Sequence, residues 1–154
     1  MSVFKIEVPR NLDLEKDSSW ILDEDGKWHF KPLSIDLKNQ SMSAYWYCKD
    51  NYFEEAHWHS GTSLIQVLVG DIILYSDNQE LHLHPGDSIL LPSHTLHAVR
   101  ITPKPEGVLL FILSNGTTHY PENKENDYDL TSYALAVKNH YQQLGLPLAS
   151  LISE

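Results

Sequence analysis

At 154 residues, with 42% hydrophobic content and no internal repeat, the chain is sized for one domain around one buried core. Lys and Arg number 11 against 21 Asp and Glu, and the net charge of -10 argues against nucleic acid and anionic membrane surfaces as partners. Cys48 is the only cysteine, the longest apolar runs, such as Val108 to Leu113, fall far short of a membrane span, and Met1 to Lys5 lacks a secretory pattern, so a reducing cytoplasm is the expected compartment.

Residues 1–27 are polar and broken by Pro9, Asn11, Asp23 and Gly26, while Phe4, Ile6 and Val8 alternate as a short strand does. They read as an N-terminal arm that covers the following domain or pairs with a second subunit. From Trp28 to about Gly116 the texture is β, with short apolar or alternating stretches. Turn residues separate them at Lys38-Asn39-Gln40, Asp50-Asn51, Ser60-Gly61, Asp77-Asn78, Pro85-Gly86-Asp87 and Pro103 to Gly107. Short strands at such regular spacing predict a sandwich or barrel over residues 28–120. Residues 121–154 hold a charged linker, Pro121 to Asp127, and then a helical stripe of Leu130, Tyr133, Ala134, Val137 and Tyr141. Asp129 is the expected N-cap and Gly145, with Pro147 behind it, the expected stop. The helix is expected to lie against the outside of the barrel or against a partner chain.

Histidines carry the functional signal. His57 and His59 stand two apart on one predicted strand and so face the same way, and His97 follows the run Gly86-Asp87-(x)4-Pro92 on a later strand. Two imidazoles aimed into a barrel and joined by a third form a ligand set for iron, nickel, copper or zinc. The alternative, polar residues on a wet strand, explains the combination less well.

This arrangement, His57-x-His59, Gly70 eleven residues on, then Gly86-Asp87-(x)4-Pro92-(x)4-His97, resembles the two motifs of the cupin superfamily over roughly residues 55–101. The resemblance implies an all-β, double-stranded β-helix (cupin or jelly-roll barrel) with an N-terminal arm and one C-terminal helix, and a homodimer paired through an edge strand. The family's glutamate ligand, expected four residues after the second histidine, is Ser63 here, and the glycine expected two after the motif proline is His94. A three-histidine set resembles that of the thiol dioxygenases and of cupins that cleave diketones or aromatic hydroxyketones with dioxygen. The run Trp28-His29-Phe30-Lys31-Pro32-Leu33 is similar to the acetylacetone-cleaving and dihydroxyacetophenone dioxygenases, the ChrR-like cupins. The resemblance therefore implies one divalent metal ion, Fe(II), on His57, His59 and His97, and a small chelating substrate; Zn, Ni, Mn and Cu are the alternatives. Two other readings stay open: a non-catalytic small-molecule sensor like the cupins of arabinose-type regulators, and a redox-neutral isomerase or lyase using Zn, Ni or Mn.

Around the triplet, Glu55 shares strand parity with His57 and His59 and is a candidate to approach the metal, whereas Glu54 is expected to point away. Ser63, if inward, can hydrogen-bond a metal-bound water, or it simply fills the space of a lost ligand. His94 sits in the loop before His97, at the rim of the pocket or merely solvated. His82 and His84 form a second His-x-His, but Leu81 and Leu83 claim the inward face between them; Arg100 is outward by the same parity. His29, His119 and His140 have no partner at ligand spacing. Tyr45, Trp46, Tyr47 and Trp58 give an aromatic stretch suited to a planar substrate, or simply to the core.

Overall fold

The computed structural model describes residues 6, 16–23, 26–102, 106–148 and 151–154. Its strands are β1 Ile21–Leu22, β2 His29–Asp36, β3 Ser41–Cys48, β4 Tyr52–His59, β5 Ser63–Val69, β6 Ile72–Ser76, β7 Gln79–Leu83, β8 Ser88–Leu91, β9 His97–Ile101, β10 Val108–Asn115, β11 Thr118–His119 and β12 Ile152–Ser153. Among the described residues one α-helix, α1 Leu130–Gln143, follows a 3-10 turn at Lys124–Asn126. Seven strands form one sheet in the order β1-β2-β3-β10-β5-β8, with β12 joined to β2, and five form the other in the order β11-β4-β9-β6-β7. Two facing, mostly antiparallel sheets with one C-terminal helix make the expected all-β jelly-roll barrel.

Side-chain alternation explains the core. Cys48, Ile65, Val67, Ile72, Leu74, Leu91, Val99, Ile101, Val108 and Leu110 all face the space between the sheets, against Leu81, Leu83 and Ile89. The apolar run of β10 looks unlike a half-buried strand because its other face is covered too. Leu109 and Phe111 pack there with Tyr45, Tyr47 and Trp20, and the Trp20 and Tyr45 rings stack at 6.5 Å. Trp20, just before β1, packs on this outer face; Phe4 and Val8 of the expected arm strand lie outside the described residues, and Ile6 is exposed.

Local turn chemistry sets the register. Asp77 and Asn78 both take positive φ, 50° and 59°, closing the β6–β7 hairpin in the sense that matches strand twist. Gly70 turns the chain from one sheet to the other at φ 78°, where a Cβ would meet the Gly107 carbonyl oxygen at 2.5 Å.

The helix begins where expected, with the Asp129 carboxylate accepting from Ser132 N–H at 2.9 Å, and Gly145 follows its end at φ 66°. Its position differs from the expectation of an outside contact. Leu130, Ala134, Val137 and Tyr141 pack with Phe30, Ile35, Met42 and Ala44, and Tyr133 adds to the same contact. Met42 and Ala44 share strand parity with Trp46 and Cys48, whose face is the barrel interior. The helix therefore covers the inward side of the larger sheet where β2 and β3 run beyond the smaller one. Leu146, Leu148, Leu151 and Ile152 extend this contact.

Candidate metal centre

His57 and His59 leave β4, and His97 opens β9 directly opposite His57 in the register. Their ring centroids lie 4.2 to 5.4 Å apart, and one ligand nitrogen from each falls within 4.8 Å of the others. His57 and His97 are buried, with 7% and 3% of their surface exposed.

Hydrogen bonds decide which nitrogen faces the centre. His57 Nδ1 lies 2.8 Å from the Glu55 carbonyl oxygen, and His97 Nδ1 lies 2.9 Å from that of Thr95. A carbonyl only accepts, so both Nδ1 atoms carry the proton and both Nε2 atoms keep a lone pair. His59 Nδ1 sits 2.9 Å from Thr118 Oγ1 and 3.4 Å from Ser114 Oγ, hydroxyls that can accept its proton and so allow the same tautomer. This is the outer support that metal-ligating imidazoles use. Burial holds all three rings in the neutral, metal-ready form. His57 is depressed chiefly by burial, while His59 is pushed down to about 3 and His97 to about 4 by burial and by neighbouring imidazoles.

Ser63 occupies the position of the absent glutamate. It is 2% exposed, shares the inward face with Ile65 and Val67, pairs in register with Ser114, and its Oγ has no hydrogen-bond partner. Three converging imidazoles on the smaller sheet and an orphaned buried hydroxyl on the inward face of the larger one fit a divalent ion with bound water or substrate.

The expectation for Glu55 is corrected. Between Glu54 and His57, β4 carries one residue more than β9, a bulge that switches parity along the strand. Below it Tyr52 and Glu54 share the interior side with Val99 and Ile101; above it His57 and His59 do. The Glu55 side chain turns away and accepts from Asn123 Nδ2 at 2.8 Å and Asn126 Nδ2 at 2.9 Å. Glu55 serves the site through its backbone carbonyl alone.

Glu54 takes the place predicted for its neighbour. Its Oε1 lies 3.9 Å from His57 Nδ1 and accepts from Tyr120 at 2.8 Å, while Oε2 accepts from Tyr52 at 2.7 Å. The Tyr120 ring lies over His57 with centroids 5.0 Å apart, and burial together with Glu54 holds its phenol far above the ordinary range. Sequence reasoning missed Tyr120 because it lies beyond both motifs, just after β11.

His94 does not reach the cluster. It is exposed, packs on Trp58 with centroids 4.9 Å apart, and takes φ 63°, the left-handed conformation that explains why glycine suits this position. His82 and His84 are exposed and pair with Glu80 and Asp71; Arg100 is outward over Phe53. His119 bridges Thr117 and Asp127. Of the aromatic stretch, Tyr45 and Tyr47 face the outer layer and Trp46 faces inward.

Residues 50–113 match the family profile described as cupin domain. With two sheets closed around the histidines, this barrel shares the fold of cupin proteins. Solved structures sharing the fold include an RmlC-like cupin protein from Ralstonia eutropha JMP134, with TM-score 0.71 and 15% identity over 86% of this chain and 93% of that one. An acetylacetone dioxygenase from Acinetobacter johnsonii matches with TM-score 0.67 and 11% identity over 91% and 99%. The DMSP lyase DddQ from Ruegeria pomeroyi DSS-3 matches with TM-score 0.55 and 16% identity over 70% and 62%. These likenesses speak for the fold. A search of curated protein sequences gives no significant match.

Proposed function

We propose that the chain is a metal-dependent enzyme, an Fe(II) dioxygenase acting on a small chelating diketone or hydroxyketone. The observation that carries this reading is a set of three neutral imidazoles, two buried and one half-buried, with Ser63 where a carboxylate ligand would stand. An iron ion on His57, His59 and His97 would keep its full charge, attract an enolate-type chelate, and supply the redox chemistry with dioxygen.

The chain's own residues hold and orient. Glu55 and Thr95 carbonyls and Thr118 Oγ1 aim the three rings. Ser63 Oγ is free to donate to an oxygen of the bound substrate or water. Tyr120 covers His57 and keeps water from that side of the cluster.

A redox-neutral isomerase or lyase with Zn, Ni or Mn is the second reading. It is favoured by the Glu54 carboxylate clasped by two phenols beside His57, a proton-holding group that a dioxygenase does not need. Oxygen uptake by untagged protein loaded anaerobically with Fe(II), screened against diketones, hydroxyketones and small thiols, separates the two. Uptake with a chelating ketone supports the first reading; metal binding without any uptake rejects it.

A further inference from the structure

Glu54 and His57 stand three apart, a spacing that sends two side chains of a regular strand to opposite faces. The bulge in β4 cancels that opposition, and both side chains reach the interior. Glu54 Oε1 then lies 3.9 Å from His57 Nδ1, the nitrogen that donates to the Glu55 carbonyl at 2.8 Å. The outer edge of this one ring meets a carbonyl and a carboxylate together, whereas the same nitrogen of His97 meets a carbonyl and that of His59 two hydroxyls. Two phenols fix the carboxylate. Tyr52 donates to Oε2 at 2.7 Å and Tyr120, 66 residues away along the chain, donates to Oε1 at 2.8 Å, so each oxygen receives a donor and the ionised form is favoured. The Tyr120 ring also lies over His57. With 24% of the Glu54 side chain exposed and 9% of that of His57, water screens the pair only in part.

We infer that Glu54 is a positioning residue for the metal: the carboxylate missing from position 63 of the ligand set stands instead behind His57 and acts on the ion through that ring. The inference rests on the proposed reading that an ion binds the three histidines, and it holds for either reaction considered above. A negative charge behind an imidazole that donates from Nδ1 makes Nε2 a stronger donor to a cation. Its pull grows with the charge of the ion, so Fe(III) gains more than Fe(II). A carboxylate placed behind the ligand thus offsets charge without taking a coordination position, which stays open for substrate. The bulge is the device that makes this possible, since an unbroken β4 would turn Glu54 outward.

The test loads the full chain anaerobically with Fe(II) and reads the Fe(III)/Fe(II) midpoint potential by spectroelectrochemical titration, with no substrate present. In Glu54→Gln the preference for Fe(III) over Fe(II) should fall about tenfold, which raises the potential by about 59 mV for one electron. Glu54→Asp keeps the charge while disturbing the same hydrogen bonds, and its preference should stay within about threefold of wild type. A carboxylate that merely packs would give another result, because a loosened site weakens both oxidation states alike and leaves the potential where it was. An unmoved potential in Glu54→Gln, or an equal shift in Glu54→Asp, therefore overturns the inference while the metal reading survives. Should Glu54→Gln fail to fold, the Tyr52→Phe/Glu54→Gln double variant removes a phenol left facing an amide donor and carries the same change of charge. The same shift is expected of it, and an unmoved potential overturns the inference equally. Wild type that takes up no iron ends the metal reading itself, and this inference with it.

Discussion

His97 Nδ1 donates to the carbonyl oxygen of Thr95 at 2.9 Å, and this one bond fixes the tautomer that turns the opposite nitrogen toward the cluster. His57 obtains the same from Glu55, but His59 relies on the Thr118 side chain, which can be changed without touching the backbone. Thr118→Val should therefore keep the fold and weaken Zn(II) binding about 10- to 100-fold, whereas His57→Ala or His97→Ala should weaken it by at least about 100-fold. Equilibrium dialysis followed by elemental analysis reads both effects. Unchanged metal content in the two histidine variants would reject the site.

Acid should destabilise the metal-free protein early. His59 and His97 have folded-state values pushed down to about 3 and about 4, below the ordinary 6.5 of an exposed imidazole. Between those values the unfolded chain binds protons that the folded chain refuses, so stability is full above about pH 6.5 and falls as pH drops toward 4. Each unit of pKa shift corresponds to about 1.4 kcal/mol, making the total loss of order several kcal/mol. Urea unfolding at pH 7.5, 6.5 and 5.5 should show the decline starting before most carboxylates titrate. Saturating Zn(II) should flatten it at the upper end, because the ion competes with protons for the same nitrogens. A flat profile from pH 7.5 to 5.5 without metal would contradict buried neutral rings.

The two adjacent glutamates should respond unequally. Glu54→Gln leaves one phenol, Tyr52 or Tyr120, facing an amide donor in a buried setting, and should cost about 1–3 kcal/mol in urea unfolding. Glu55→Gln retains an acceptor for Asn123 and Asn126 near the surface and should cost under about 1 kcal/mol. Equal effects would argue against the bulge that separates them.

Restoring a carboxylate at position 63 offers a geometric check. Ser63→Glu buries an unpaired acid beside Leu91 and Ile65, so the metal-free variant should melt below wild type. Zn(II) should then raise its Tm by more than it raises that of wild type, because the new oxygen gains a cation. An equal metal-induced shift in both proteins would show that position 63 does not face the ion.

Much of this was legible beforehand. Strict alternation at Ile65, Val67, Ile89 and Leu91 announced the interior wall, Asp129 and Gly145 bracketed the helix, and the spacing of His57, His59 and His97 picked out the cluster. What escaped was whatever broke period-two counting or arrived from afar. The β4 bulge reversed the parity of Glu54 and Glu55, and no residue in Tyr52-Phe53-Glu54-Glu55-Ala56 signals an inserted position. Tyr120 reaches His57 through tertiary packing alone. The helix stripe revealed an apolar face but not which side of a sheet it would meet, since both faces of β3 are apolar.

Because α1 closes the inward side of the larger sheet, the histidine cluster and the residues that cap that side come from separate stretches of chain. The three imidazoles belong to β4 and β9, while Tyr133 comes from a segment more than thirty residues beyond His97. Exchanges on that helix can therefore reshape one end of the barrel while the histidine cluster stays untouched.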